Sequence, residues 1–115
     1  MQPSLTDSRL QFAGNPNSAT YFEYMASYSP MENVKKIDYP AMLVTAGLHD
    51  PRVPYWEPAK WVSRLRQMRT NSDLPIVLKV DLNAGHFVEN DRYKRIRSLA
   101  LEHAFVLEAI RNPRP

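Results

Sequence analysis

Two short apolar runs constrain this chain more than any other feature: Tyr39 to Ala46 (YPAMLVTA), closed by Gly47, and Leu74 to Asp81 (LPIVLKVD). The length of the first and its bounding turn residues suggest a strand buried on both faces, and the second reads as another strand. Between them, Asp50 to Pro58 holds three prolines and reads as a rigid loop. A helix then runs from Pro58 to about Arg69, with Trp61, Leu65 and Met68 on its buried side. Proline suits a first helical turn, where its missing N–H costs nothing. Asn71-Ser72-Asp73 is a turn. A long helix is expected from about Asp91 to Ile110. Ile96, Ala100, Ala104 and Leu107 repeat on one of its faces, and Leu99, Leu101 and Phe105 widen that stripe.

Residues 1–17 are polar, carry the turn signal Gly14-Asn15-Pro16, and read as a loop. Asn17 or Ser18 can cap a short helix that places Tyr21, Met25 and Tyr28 on one face. Ser29-Pro30 ends it, because the residue before a proline avoids the helical region. The tail from Arg111 to Pro115 is expected to fray. The order is thus helix, strand, helix, strand, helix, which argues for parallel β-α units. Two strands are too few for a stable doubly wound sheet. The chain therefore reads as the edge of a larger α/β domain.

Composition narrows the function classes. A hydrophobic fraction of 43% with 23% charged residues excludes a disordered chain. No apolar run approaches the roughly 20 residues of a membrane helix, and MQPSLTDSRL lacks the layout of a signal peptide. Without cysteine there is no disulfide framework and no thiolate chemistry. A cytoplasmic setting without membrane contact is the expectation. The net charge of +3 is spread over Arg64, Arg66 and Arg69 on one segment and Arg92, Lys94, Arg95 and Arg97 on another. Both segments also carry apolar stripes, so solvated helix faces explain them better than a nucleic-acid surface.

In open α/β sheets, functional groups gather in the loops after the C-terminal ends of strands. Here those loops are Gly47-Leu48-His49-Asp50-Pro51-Arg52 and Asn83-Ala84-Gly85-His86. An aspartate and a histidine on adjacent strand ends is the pairing that orients a catalytic imidazole: the carboxylate accepts from one ring nitrogen and fixes the tautomer. Spacing alone leaves the Asp50/His86 dyad open, since an aspartate beside a proline is also a turn residue and Gly-His is common in loops. His49 next to Asp50 has no second histidine-rich cluster to complete a metal site. His103, among Leu101, Ala104 and Phe105, reads as structural.

The run from Tyr39 through Gly47-Leu48-His49-Asp50-Pro51-Arg52-Val53 continues into Tyr55-Trp56-Glu57-Pro58-Ala59-Lys60-Trp61. With Gly14-Asn15-Pro16, Tyr28-Ser29-Pro30-Met31-Glu32-Asn33-Val34, Ala84-Gly85-His86 and Asp91-Arg92-Tyr93, it resembles the C-terminal catalytic region of the prolyl oligopeptidase family of serine peptidases, in its oligopeptidase B branch. The resemblance spans about residues 14 to 110. It implies a C-terminal fragment of an α/β-hydrolase fold, with residues 18–115 forming part of a catalytic domain that the family joins to a β-propeller. The family's triad runs in the order Ser, Asp, His. The aspartate preceding x-Arg-Val falls at Asp50, and the histidine of the Gly-His motif at His86. Arg52 resembles a family residue that binds a substrate carbonyl; a structural role, pairing with a nearby carboxylate, is the other reading. The substrates implied are short peptides, with no cofactor and no metal.

The chain departs from that pattern in two places. The only glycines are Gly14, Gly47 and Gly85, so no serine sits in a Gly-x-Ser-x-Gly elbow and the glycine-rich oxyanion loop is absent. Without nucleophile or oxyanion donors, the chain by itself is expected not to hydrolyse peptides. Its partners would then be the missing N-terminal part of the catalytic domain and the propeller. The alternative is a non-catalytic module whose exposed sheet edge pairs with another chain or with a second copy of itself. Further, the stretch Ser8-Arg9-Leu10-Gln11-Phe12-Ala13 carries no carboxylate, where oligopeptidase B is acidic. A preference for cleavage after basic residues is therefore not implied.

Overall fold

A computed structural model describes residues 14–15, 17–84 and 92–111, and the chain divides into two compact units, 1–34 and 35–115. The first unit contains helix α1 (Ala19–Tyr28). Asn15 starts it: its Oδ1 accepts from the Asn17 N–H and its carbonyl from the Ser18 N–H, each at 3.0 Å. Ser18 occupies the capping position with extended backbone, but its hydroxyl makes no capping bond. Gly14 has φ +81°, and a Cβ there would fall on the Tyr21 ring, so both backbone and space call for glycine. The helix stops at Ser29, before Pro30 as expected. Asn33 finishes it, its Nδ2 donating to the carbonyls of Ala26 (2.8 Å), Ser27 (3.1 Å) and Ser29 (2.8 Å). These carbonyls lie at the helix C-terminus, where intrahelical donors run out; those of Ala26 and Ser29 also accept from the Ser29 and Asn33 N–H groups. Of the expected face Tyr21, Met25 and Tyr28, only Met25 is half-buried.

The second unit runs β1 (Met42–Gly47), α2 (Trp56–Met68), β2 (Ile76–Asp81) and α3 (Arg92–Arg111). The strands pair in parallel, in register from Met42 opposite Ile76 to Gly47 opposite Asp81. Helix α2 makes the crossover and packs on both strands. Glu57 lies in its first turn and Arg66 in its last, which complements the helix dipole. Val62 and Leu65, each 1% exposed, form the core with Ile76 at 4%. The expected stripe is thus centred correctly on Leu65, but Val62 is buried as deeply while Trp61 and Met68 are only half-buried.

Side chains tie the ends of this β-α-β unit together. The Asn71 amide clasps the Tyr39 backbone from 32 positions away: Oδ1 accepts from the Tyr39 N–H at 2.9 Å, and Nδ2 donates to its carbonyl at 2.8 Å. Asn71 is buried, so both of its polar ends need such partners. The Thr70 N–H donates to the Ile37 carbonyl at 3.0 Å, and its hydroxyl bonds Asp38. The Arg66 guanidinium grips the Ile76 carbonyl through Nε (3.0 Å) and Nη2 (2.7 Å), while Arg69 Nη1 reaches the Leu74 carbonyl at 2.9 Å.

Two expectations are corrected. The strands are not buried on both faces: β1 is at best half-buried with Thr45 exposed, and Val77 of β2 is exposed. A two-stranded sheet lacks the neighbours that would cover them. Helix α3 does not pack through Ile96 and Leu107, which are 51% and 63% exposed. Its half-buried positions are Ser98, Phe105 and Ala109, and Ser98 accepts from Lys79 Nζ of β2 at 3.3 Å. The face carrying Ile96, Leu99, Leu107 and Ile110 stays exposed. Burial among the described residues is therefore far short of what the apolar content could provide.

Candidate active site

Because β1 and β2 are parallel and in register, their C-terminal ends lie side by side, and the loops that follow leave from the same edge. The Leu48 N–H extends the ladder by donating to the Asp81 carbonyl at 2.8 Å. One residue further on, the His49 N–H donates to the Ala84 carbonyl at 3.1 Å. This backbone bond staples the loop that carries Asp50 to the loop that leads into Gly85-His86. Asp81 shapes the second loop, its Oδ1 accepting from the Asn83 N–H at 2.9 Å.

Asp50 is held by its own loop. Its N–H meets the Gly47 carbonyl at 3.3 Å, closing a turn directly after the strand. Its Oδ1 accepts from the backbone N–H groups of Arg52 (2.8 Å) and Val53 (3.0 Å), a side-chain-closed turn of the kind aspartate favours. Two donors on one oxygen fix the plane of the carboxylate and the direction of Oδ2. The side chain is half-buried. The turn-residue role that sequence offers for Asp50 is the one its Oδ1 fills.

Arg52 is exposed, and its backbone N–H helps hold Asp50. His49 is exposed and contributes through its backbone. His103 is exposed on α3 rather than packed. His86 lies outside the described residues, as do Gly85 and Asp91. Beyond Arg52, the loop runs into Tyr55 and Trp56, whose rings meet edge to face at 5.5 Å between centroids. Among the described residues, no group of three or more His, Asp or Glu side chains could hold a metal ion. Sequence reasoning missed Asn71 and Arg66, which fix where the two strands begin, and the staple at Ala84. An asparagine in a turn and an arginine on a helix carry no local sign of a distant backbone partner, and a backbone bond leaves no trace in residue type.

The family model for the prolyl oligopeptidase family of peptidases matches residues 2–113. The chain belongs to this family. It is 43% identical over 97 residues to Protease 2 of Moraxella lacunata, covering 84% of this chain and 14% of that protein. It is 40% identical over 106 residues to dipeptidyl aminopeptidase BI of Pseudoxanthomonas mexicana, covering 92% of this chain and 14% of that one. Among solved structures, oligopeptidase B from Leishmania major superposes with a TM-score of 0.85 at 48% identity, over 93% of this chain and 15% of that chain. Oligopeptidase B from Trypanosoma brucei, in a closed form with covalently bound antipain, gives 0.83 at 50% identity, over 96% and 15%. The β-α-β unit and its flanking helices are thus part of an α/β-hydrolase fold. The 115 residues span about one seventh of the length of the relatives they match.

Proposed function

We propose that this chain supplies the aspartate and histidine of a Ser-Asp-His triad to a serine peptidase that hydrolyses short peptides. The observation that carries the reading is the bond from the His49 N–H to the Ala84 carbonyl, which joins the two candidate loops at the residue beside Asp50. Gly85 and His86 follow Ala84 directly in the sequence, which supports pairing His86 with Asp50. In the complete enzyme His86 acts as general base toward the serine, then as general acid toward the leaving amine. Asp50, its plane fixed by the Arg52 and Val53 N–H groups, holds the imidazole in the productive tautomer. Arg52, exposed beside it, is the candidate for binding a substrate carbonyl. The serine and the oxyanion donors come from sequence that these 115 residues do not contain, so the chain alone does not turn over peptides. The similar proteins bear the names of a protease, a dipeptidyl aminopeptidase and oligopeptidases, so family membership leaves the cleavage preference unassigned.

The test is a graft. The corresponding segment of Trypanosoma brucei oligopeptidase B is replaced by this chain and assayed on a fluorogenic peptide panel. The graft should hydrolyse, and Asp50→Asn should lower kcat about 10⁴-fold, as loss of the orienting carboxylate does in a serine triad. A His86→Ala graft as active as its parent would sink the assignment, as would turnover by the isolated chain.

A further inference from the structure

Two consecutive N–H groups after β1 reach one short segment after β2. Leu48 donates to the Asp81 carbonyl at 2.8 Å, and His49 donates to the Ala84 carbonyl at 3.1 Å. In a strand, neighbouring residues turn their N–H groups to opposite sides, so this pattern takes a turn in each segment. The first turn covers residues 47–50, where the Asp50 N–H meets the Gly47 carbonyl at 3.3 Å. The second covers residues 81–83. Run straight on, three residues would carry the Ala84 carbonyl about 10 Å beyond that of Asp81. Instead both carbonyls serve adjacent amides, whose Cα atoms lie about 3.8 Å apart.

A side chain closes the second turn. Asp81, half-buried, ends β2 opposite Gly47, and its Oδ1 accepts from the Asn83 N–H at 2.9 Å. Aspartate suits this turn because its oxygen stands in for a backbone acceptor. Among the described residues, no other bond closes residues 82–84 on themselves. The first loop is anchored more heavily, since Oδ1 of Asp50 also gathers the Arg52 and Val53 N–H groups. Those bonds fix Asp50 relative to the residues that follow it. The His49 bond is the tie to the second loop that lies nearest Asp50, and it depends on where the turn at Asp81 delivers Ala84.

We propose that Asp81 is a positioning residue for Asp50. Its Oδ1 bends residues 81–83, the bend brings the Ala84 carbonyl to the His49 N–H, and that bond holds the backbone entering Asp50. The two strand-end aspartates then have separate tasks: Asp50 organises its own loop, and Asp81 fastens the second loop to the first. The task of Asp81 needs an acceptor oxygen and not a charge, so asparagine serves at this position and alanine does not. The consequence for turnover rests on the triad reading above. The coupling of Asp81 to the His49 amide does not.

Asp81→Ala and Asp81→Asn test this together. In residue-resolved hydrogen exchange on the 115-residue chain, the His49 amide should exchange at least tenfold faster in Asp81→Ala and within twofold of the original rate in Asp81→Asn. The Met42 amide, bonded to the Pro75 carbonyl at the other end of the sheet, should keep its rate in both, which separates a released loop from an unfolded unit. The same pattern should appear when His86→Ala is also present. In the Trypanosoma brucei oligopeptidase B graft, Asp81→Ala should lower kcat at least tenfold with KM within twofold, because a displaced Asp50 disturbs the reacting groups and not the binding of peptide. Asp81→Asn should restore kcat to within threefold of the parent graft. Four results would each overturn the inference: an unchanged His49 amide in Asp81→Ala, a Met42 amide released as much as that of His49, an Asp81→Asn variant as impaired as Asp81→Ala, or full kcat in the Asp81→Ala graft while Asp50→Asn is inactive. The triad reading fails on a different result, an Asp50→Asn graft as active as its parent. In that event the His49 exchange still decides whether Asp81 couples the two loops.

Discussion

Asn71→Ala should cost more than any surface substitution of similar size. The amide joins the start of β1 to the end of α2 across 32 positions, and is buried while doing so. The substitution removes two hydrogen bonds and leaves the Tyr39 N–H and carbonyl without their partners. A net hydrogen bond is worth about 0.5–1.5 kcal/mol, and a buried group left unsatisfied costs about 1–3 kcal/mol. Tyr39 is half-buried, so water relieves part of that penalty; a loss of about 2–3 kcal/mol is expected. With a urea dependence of about 1 kcal/mol per molar for a unit this small, the midpoint should fall by about 2 M. Trp56 and Trp61, both on α2, report the transition by fluorescence, and exchange of the Tyr39 amide reports the clasp itself. Asn71→Asp keeps the acceptor for the Tyr39 N–H but sets an oxygen against its carbonyl. That variant should regain stability as acidification protonates the new carboxyl and restores a donor. A midpoint shift below about 0.3 M in Asn71→Ala, with the Tyr39 amide as protected as before, would refute the reasoning.

Leu65→Ala removes the side chain at the centre of the β-α-β core, 1% exposed, and should destabilise that unit by about 2–4 kcal/mol in the same urea titration. Asn33→Ala removes a two-hydrogen donor shared among three carbonyls at the end of α1; the loss of about 1–2 kcal/mol should appear as faster exchange over the last turn of that helix. Gly14→Ala must adopt a positive φ and push against Tyr21, so α1 should lose helical circular dichroism, whereas Ala19→Gly should cost only the roughly 1 kcal/mol of helix propensity.

Much of this fold is legible in residue order, and the reasons are local. YPAMLVTAG and LPIVLKVD mark two strands because apolar runs of that length, closed by turn residues, have few other uses. The proline at position 58 and the spacing around Leu65 mark the helix between them, and Ser29-Pro30 marks the end of α1. Pairing in parallel follows from the crossover helix. The loops after the strand ends were the place to look for chemistry on the same grounds, and Asp50 lies in the first of them. What remained hidden depends on partners distant in sequence. The Asn71 clasp, the Arg66 fork and the His49–Ala84 staple form only when residues 10 to 35 positions apart are brought together. The face of α3 that packs could not be read either, because apolar residues surround much of that helix and periodicity cannot say which neighbour is present.

The sequence alone determined the order of elements, the family and the residues offered for a triad, since each is written in local pattern and contiguous motif. Tertiary structure decided which distant residues fix the strand ends. That depends on chain closure bringing the Asn71 amide onto the Tyr39 backbone and one arginine onto a carbonyl of the neighbouring strand.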